Sequence, residues 1–231
     1  MNASLRSPAP HRRGFTLVEI LIVIALIAMI LFLTVPGLKD VIKGTKLTAA
    51  ADQIVGDLNL ARQTAIKESV TVEVRFYKFS DPSARNEQRF AAYQCYKLVQ
   101  DLNKPSDYTA TRIAKPIFEK VKTIPQGVVL VDSEQWSPLL TDETMKQDDN
   151  RERVKGLIPG QRDTEAEYRS FIISPEGETS LDRKGAKQWY LSLVTEAEFQ
   201  KAPNPAALRP DNFITVQIDP FTANTRRYQP N

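Results

Sequence analysis

Residues 12–19 have the sequence Arg-Arg-Gly-Phe-Thr-Leu-Val-Glu, and a long apolar run follows them directly. Every residue from Ile20 to Leu33 is apolar, and the only charged residue between Phe15 and Val35 is Glu19. As a helix, this segment would span roughly 32 Å, which is about the thickness of the hydrocarbon core of a bilayer. The stretch therefore predicts a membrane-spanning helix that carries one carboxylate within it.

The position of Glu19 needs a physical explanation, because a carboxylate inside a membrane helix costs on the order of 2.5 kcal/mol or more. One interpretation places Glu19 close enough to the interface for its side chain to reach water. The other supplies a partner: cleavage between Gly14 and Phe15 would create a charged α-amino group four residues upstream. A neighbouring copy shifted by about one helical turn could set its Glu19 beside that ammonium and neutralise both charges.

A short basic leader that ends in Gly, followed by Phe-Thr-Leu-Val-Glu and an apolar helix, resembles the class III signal of type IV pilins and type II secretion pseudopilins. The resemblance implies that a prepilin peptidase cuts after Gly14 and methylates the new N-terminal Phe15. It also implies that Glu19 directs assembly and that Pro36 is the kink proline of the family's helix. Later segments, such as Asn-Leu-Ala-Arg-Gln-Thr-Ala (59–65) and Val-Glu-Val-Arg-Phe-Tyr (72–77), resemble minor pseudopilins of the H/T class, and in particular the family called Verru_Chthon cassette protein D.

The same resemblance implies a location and a set of partners. The chain is expected in the inner (cytoplasmic) membrane as a single-pass protein, with a cytoplasmic N-terminus and a periplasmic or other extracytoplasmic C-terminal domain. The expected partners are the prepilin peptidase, other pilin or pseudopilin subunits, the inner-membrane assembly platform and the lipid bilayer. A Sec-type signal peptide fits less well, because the apolar run is long and no small-x-small site follows at residues 34–37.

Composition excludes several other classes. The formal charge of +3 is carried entirely by the three leader arginines, so residues 15–231 are neutral on balance and indicate no nucleic-acid partner. The sole histidine, His11, lies in the predicted leader, which excludes a histidine-based triad or zinc site from the mature domain. The only cysteine, Cys95, is predicted to be a small buried residue. Acidic residues 142–153 lack the spacing of an EF-hand calcium loop, so no metal, cofactor or enzymatic activity is predicted.

Four segments follow from the pattern of the chain: a leader (1–14), the transmembrane half of the helix (15–36), its amphipathic half (37–68) and an antiparallel β-rich domain (69–231). The amphipathic half repeats apolar residues in steps of three and four. These are Leu47, Ala51, Ile54, Leu58, Ala61 and Ala65. A coiled-coil dimer is the alternative, but packing against the protein's own sheet is favoured because the stripe is short and rich in small residues. Pro36, Gly44 and Gly56 are predicted points of bending or local melting.

Beyond the helix, a period of two predicts strands. A half-buried strand is expected at Val70–Tyr77, and others are expected at 89–99, 113–120, 128–131, 168–173, 189–194, 213–219 and 226–228. Residues 137–167 are polar and highly charged and are predicted to be an exposed insertion. The fold class is thus α+β and pilin-like, with a long N-terminal helix on an antiparallel sheet.

The sequence therefore predicts a pseudopilin-like structural subunit. The alternative is a membrane-anchored extracytoplasmic binding domain or enzyme that uses the helix only as an anchor. The two differ in one property, because an anchor would tolerate loss of the Glu19 carboxylate and a staggered filament subunit would not.

Overall fold

The computed structural model describes residues 15–81, 87–99, 113–142, 167–183 and 187–230, with the side chains of 32–43, 80, 81 and 113 excepted. The predicted leader, with Gly14 and His11, and most of the predicted insertion lie outside these residues. The chain divides into two units, one ending at Ile42 and the other beginning at Lys43.

The described elements give the α+β class that the sequence predicts. One long helix is followed by antiparallel strands with two short helices among them. In chain order they are α1 Leu17–Glu68, β1 Thr71–Asp81, β2 Glu87–Val99, β3 Ile113–Pro116, β4 Lys122–Thr123, β5 Val128–Leu130, α2 Pro138–Thr141, β6 Glu167–Ile173, β7 Trp189–Thr195, α3 Glu196–Phe199, a 3-10 turn Pro205–Ala207, β8 Phe213–Ile218 and β9 Thr225–Tyr228.

Helix α1 continues through Pro36, Gly44 and Gly56 without interruption, so local melting at these residues is not observed. A kink at Pro36 stays a prediction. The helix ends in a Schellman motif, in which the Val70 N–H donates to Ala65 O (3.1 Å) and the Ser69 N–H donates to Ile66 O (3.3 Å). Ser69 takes the left-handed conformation that this motif requires, with φ of 51°.

The predicted apolar stripe of the amphipathic half is confirmed as buried. Its six residues are each no more than 2 % exposed and belong to one core cluster with residues of the β domain. That cluster includes Val72, Val74 and Phe76 of β1 and Leu191, Leu193, Ile214 and Val216 of β7 and β8. Within the second unit, the stripe therefore packs on the chain's own strands and is not free to form the alternative coiled coil.

The β domain contains two antiparallel sheets where the sequence predicted one. Sheet 1 has the order β3-β2-β1-β6, with β4 also paired to β2, and sheet 2 has the order β5-β7-β8-β9. On sheet 2, Trp189 is 1 % exposed and donates its indole N–H to Asp182 O (2.8 Å). Trp136 packs edge-on against Phe213 in a separate cluster, at a centroid distance of 5.1 Å.

Strand β1 is buried on both faces, so the prediction of a half-buried strand is wrong. Glu73 and Arg75 alternate with the core-facing residues but are 0 % and 1 % exposed. A second cluster, formed by Tyr77, Ala92, Tyr96 and Tyr168, lies on their side of the sheet. The polar residues of an alternating strand were expected to face water, and here they face tyrosines.

The predicted insertion begins too early. Ser137, Leu139 and Leu140 are at most 1 % exposed, and the Ser137 hydroxyl accepts a hydrogen bond from the Ser192 N–H (3.0 Å). Residues 137–142 therefore belong to the packed domain, as does Glu167 at the start of β6. The remainder, 143–166, lies outside the described residues.

Candidate functional site

The N-terminus of α1 forms a reciprocal capping box. The Glu19 N–H donates to Thr16 Oγ1 (3.2 Å), and the Thr16 N–H donates to a carboxylate oxygen of Glu19 (3.4 Å). Thr16 O also accepts the first helical bond, from Ile20 N (3.2 Å). Thr-x-x-Glu is the spacing that allows this exchange, because it places the acid at the third helical residue. Thr16 therefore fixes where the helix begins, and Glu19 lies in its first turn.

The carboxylate of Glu19 is only weakly held within its own chain. The 3.4 Å separation from the Thr16 N–H is long for a hydrogen bond to a charged acceptor. The side chain is exposed. Its negative charge is favoured near the positive end of the helix dipole. The arrangement orients the carboxylate without consuming its capacity to accept further bonds.

The surroundings of Glu19 are apolar and uncovered by described residues. Every residue from Phe15 to Leu31 is exposed, with Phe15 79 %, Leu17 80 % and Ile24 62 % accessible. A contiguous apolar surface of this kind on a protein marks a protein or membrane interaction site. The structure thus brings Phe15, Thr16 and Glu19 together at one end of the exposed apolar stretch of α1, whereas Gly14 lies outside the described residues.

The described part of the domain offers little that resembles a reactive centre. Among the described residues, no group of three or more His, Cys, Asp or Glu side chains is placed to hold a metal ion. Cys95 is fully buried, as predicted, and burial raises the pKa of its thiol, which makes it a poor nucleophile. Of the adjacent carboxylates 176 and 178, Glu178 forms an ion pair with Arg183 (2.7 Å).

Sequence reasoning singled out Gly14, Phe15, Glu19 and Pro36 but missed Thr16. The signal was available, since Thr at 16 and Glu at 19 have the spacing of a capping box immediately before an apolar run. Pro36 lies in the same helix, and the side chains around it are outside those described.

Residues 10–35 match the family model described as the prokaryotic N-terminal methylation motif. No curated protein and no solved structure matches the chain. Among the described residues, no helix combines the length and the hydropathy that crossing a membrane requires.

The match covers the predicted cleavage site, the capping box and the apolar part of α1, and it points to a structural protein of the pilin type rather than to an enzyme. The motif implies processing by a prepilin peptidase, assembly with other pilin-type subunits and anchoring in a membrane. It therefore supports a type IV pilin-like protein.

Proposed function

We propose that this chain is a pseudopilin-like structural subunit that assembles through α1 into a type II secretion or type IV pilus-like fibre, or its tip. A prepilin peptidase cleaves between Gly14 and Phe15 and methylates the new N-terminus. The observation that carries the proposal is the methylation motif at residues 10–35, which coincides with an exposed apolar helix that has Glu19 in its first turn.

The membrane topology is part of this proposal. Residues 1–14 are the leader, residues 15–36 cross the inner membrane, and the domain from residue 69 onward is periplasmic. The uninterrupted apolar sequence from Ile20 to Leu33 supports the membrane span. The methylation motif supports the orientation, because Lys39, Lys43 and Lys46 just beyond the span balance the arginines of the leader. The lipid bilayer and the inner-membrane assembly platform are then the partners of the anchored subunit before it enters the fibre.

We assign the chain to the minor subunits because of the size of its β domain, and to the H/T class because of the sequence likeness of residues 59–65 and 72–77. The β domain contains two sheets and a long polar segment between α2 and β6. The major subunit of a filament must pack against many identical copies, which favours a compact domain. A domain with two sheets and a long polar segment is therefore better suited to a subunit present in few copies.

The proposed assembly contact joins Glu19 of one copy to the Phe15 ammonium of its neighbour. Among the described residues of its own chain, the carboxylate makes only the long bond to the Thr16 N–H. An opposite charge in a low-dielectric environment is a far better partner than a neutral amide. On assembly the carboxylate would leave the capping box for the ammonium, while Thr16 Oγ1 continues to cap the Glu19 N–H.

Substitutions at two positions separate the charge of Glu19 from its capping role. Glu19→Gln preserves a capping box, because Gln also occupies this position, but removes the charge. Thr16→Val removes the capping oxygen at a cost of about 1 kcal/mol and keeps the charge. We expect both proteins to be cleaved at Phe15, by mass spectrometry of the N-terminus, and only Glu19→Gln to lose assembly. Membrane insertion of Glu19→Gln should improve by about 2 kcal/mol.

Two results would contradict the proposal. An intact Met1 or cleavage after Val35 would exclude prepilin processing. Incorporation of Glu19→Gln into fibres or the partner complex at wild-type levels would favour the alternative, an anchored extracytoplasmic binding domain or enzyme. If Thr16→Val loses assembly to the same extent as Glu19→Gln, the loss results from a disturbed helix N-terminus and not from the missing charge of Glu19.

A further inference from the structure

An open groove of about 600 Å³ crosses the outer face of sheet 2. Its lining consists of Gln188, Tyr190, Thr215, Gln217 and Tyr228. The residues that alternate with these along β7 and β8, among them Leu191, Val216 and Ile218, belong to the core cluster on the other face. The volume lies within the range of sites that hold ligands, about 300–1,000 Å³. We call it the sheet 2 groove.

Two tyrosines flank the sheet 2 groove, one on β7 and one on β9. Tyr190 lies opposite Gln217 of β8, and Tyr228 lies opposite Thr215, two residues earlier on the same strand. The two tyrosines are thus two strands apart and offset by two residues, which separates their Cα atoms by about 12 Å. The Tyr190 hydroxyl donates to Gln135 O (2.9 Å) and so fixes its ring, while Tyr228 is 49 % exposed.

The polar groups between the tyrosines are available to a ligand. Among the described residues, nothing bonds to the side-chain amides of Gln188 and Gln217 or to the guanidinium of Arg226. Arg226 lies opposite Gln217 on the same face and is exposed. It lines a smaller hollow of about 170 Å³ that shares both glutamines with the groove.

The other two charged residues of the smaller hollow are already engaged. Lys187 pairs with Asp142. The carboxylate of Asp219 accepts the N–H groups of Phe221 (2.8 Å) and Thr222 (3.0 Å). Of the described charged residues that line the groove and the hollow, Arg226 is therefore the one without a partner.

This set of groups has the chemistry that an acidic sugar chain requires. A side-chain amide both donates and accepts hydrogen bonds, as a sugar hydroxyl does. The C–H hydrogens of a pyranose ring are slightly positive and pack favourably on the negative face of an aromatic ring. A sugar carboxylate suits the unpaired guanidinium of Arg226. Two aromatic rings on Cα atoms about 12 Å apart are both covered only by a ligand longer than one sugar.

A peptide strand fits this surface less well. The face of a sheet presents no unpaired main-chain groups, so a peptide cannot add to it as a strand. The groove is lined by glutamine, threonine and tyrosine and offers no apolar pocket for an anchoring side chain. The charge and the hydrogen-bonding groups thus favour the sugar chain.

We propose that the sheet 2 groove binds an acidic oligosaccharide. Tyr190 and Tyr228 pack on two of its sugar rings. The amides of Gln188 and Gln217 bond to its hydroxyls, and Arg226 binds a carboxylate. This binding function goes beyond assembly and does not depend on the contact at Glu19.

The test uses the full chain in micelles of a detergent without a sugar headgroup, because such a headgroup would compete for the groove. The protein carries nitrogen-15 in its glutamine side chains and is followed by NMR. The signals of Gln188 and Gln217 are identified by their disappearance in Gln188→Glu and Gln217→Glu. The probes are three acidic tetrasaccharides, of galacturonate, of mannuronate and of alternating glucuronate and N-acetylglucosamine. We expect at least one to shift both signals saturably, with a dissociation constant on the order of 1 mM or tighter.

Neighbouring residues provide matched variants. Arg226→Gln should weaken the affinity about threefold to tenfold. Arg227→Gln should leave it unchanged, because Arg227 points to the other face and pairs with Asp52 (2.5 Å). Tyr228→Ala should weaken binding about threefold or more. Phe221→Ala removes an equally exposed ring outside the groove and should have no effect.

Two control ligands separate the acidic sugar from its alternatives. The methyl ester of tetragalacturonate keeps the sugar chain without its charge and should bind about threefold to tenfold more weakly than the acid. A capped peptide of four glutamates keeps the charge without the sugars and should not bind. The proposal is wrong if none of the three tetrasaccharides shifts both glutamine signals, or if either control ligand binds as tightly as the acidic sugars. Equal weakening by Arg226→Gln and Arg227→Gln would also contradict it, since the contact would then be general charge attraction.

Discussion

Arg75 lies with its guanidinium 2.7 Å from the carboxylate of Glu73, and the two side chains are 1 % and 0 % exposed. The guanidinium is also placed between the rings of Tyr96 and Tyr168, at 4.7 Å from each centroid. Burial alone would lower the pKa of Arg75, but the hydrogen bond and the charge of Glu73 outweigh it and raise the pKa above its ordinary value. Arg75 is therefore charged inside sheet 1.

Breaking this pair should be costly, whereas replacing it should not be. Glu73→Gln leaves the buried charge of Arg75 uncompensated, so we expect the free energy of unfolding to fall by about 3 kcal/mol or more. The double substitution Glu73→Leu with Arg75→Met removes both charges and should recover most of that loss. Denaturant unfolding of the three proteins measures both effects. A cost below about 1 kcal/mol for Glu73→Gln would mean that water reaches the pair.

The buried tyrosines of sheet 1 predict that the fold loses stability at alkaline pH. Burial, followed by the contact with Tyr96, raises the pKa of Tyr77, and their hydroxyls lie 2.9 Å apart. Burial also raises the pKa of Tyr93, as does its hydrogen bond to Asp57. A tyrosine with a raised folded pKa keeps its proton in the fold when the unfolded chain has lost it. The contribution of these tyrosines to the free energy of unfolding is therefore fully present below about pH 10. Above that pH it falls, by about 1.4 kcal/mol per pH unit for each such tyrosine.

The measurement is the free energy of unfolding as a function of pH. Tyr77→Phe removes one of the titrating hydroxyls, so the decrease in the free energy of unfolding above pH 10 should be less steep by about 1.4 kcal/mol per pH unit. Lysines also titrate in this range, and comparison with the wild-type protein removes their contribution because both proteins contain the same lysines. An unchanged slope would show that Tyr77 ionises in the folded protein as it does in the unfolded one.

The C-terminus of α1 offers a stabilising substitution. Ser69 has φ of 51° in the Schellman motif, where glycine avoids the steric cost of a side chain. Ser69→Gly should raise the free energy of unfolding by about 1 kcal/mol. Ser69→Ala keeps the steric cost and should bring no gain. The idea fails if the two variants have equal midpoints of urea unfolding.

Leu140 tests whether the polar segment begins after residue 142 rather than at residue 137. Leu140 is 1 % exposed, so Leu140→Ala should cost about 2–5 kcal/mol by leaving a cavity. Leu60 on the outer side of α1 is 44 % exposed and provides the control, since Leu60→Ala should change stability by about 0.5 kcal/mol or less. Equal effects would place Leu140 in an exposed insertion, as the sequence had predicted.

The sequence predicted the elements of this fold better than their environment. The stripe from Leu47 to Ala65 and the strand at Thr71 follow from periodicity, because an element that buries one face repeats with its own geometry. Burial of Glu73 and Arg75 could not be predicted that way, since an alternating polar residue looks the same whether water or a tyrosine covers it. The second sheet depends on pairings such as Val129 with Val194, far apart in sequence, which local pattern does not encode.

At the candidate site, the residues of the methylation motif were evident from the sequence, whereas the hydrogen bonds at the N-terminus of the helix were not. Phe15 and Glu19 stand out by their place in the motif, while the role of Thr16 depends on the exact residue at which the helix begins.

Both tryptophans of the chain belong to one half of the β domain. Trp189 is a residue of β7 and Trp136 packs on Phe213 of β8, while the buried rings of sheet 1 are tyrosines and phenylalanines. Indole emission is consequently a local optical probe of sheet 2, whereas tyrosine absorbance weights sheet 1. The protein thus carries its own pair of spectroscopic labels, and denaturation curves recorded at the two wavelengths will coincide only if both sheets melt as one cooperative unit.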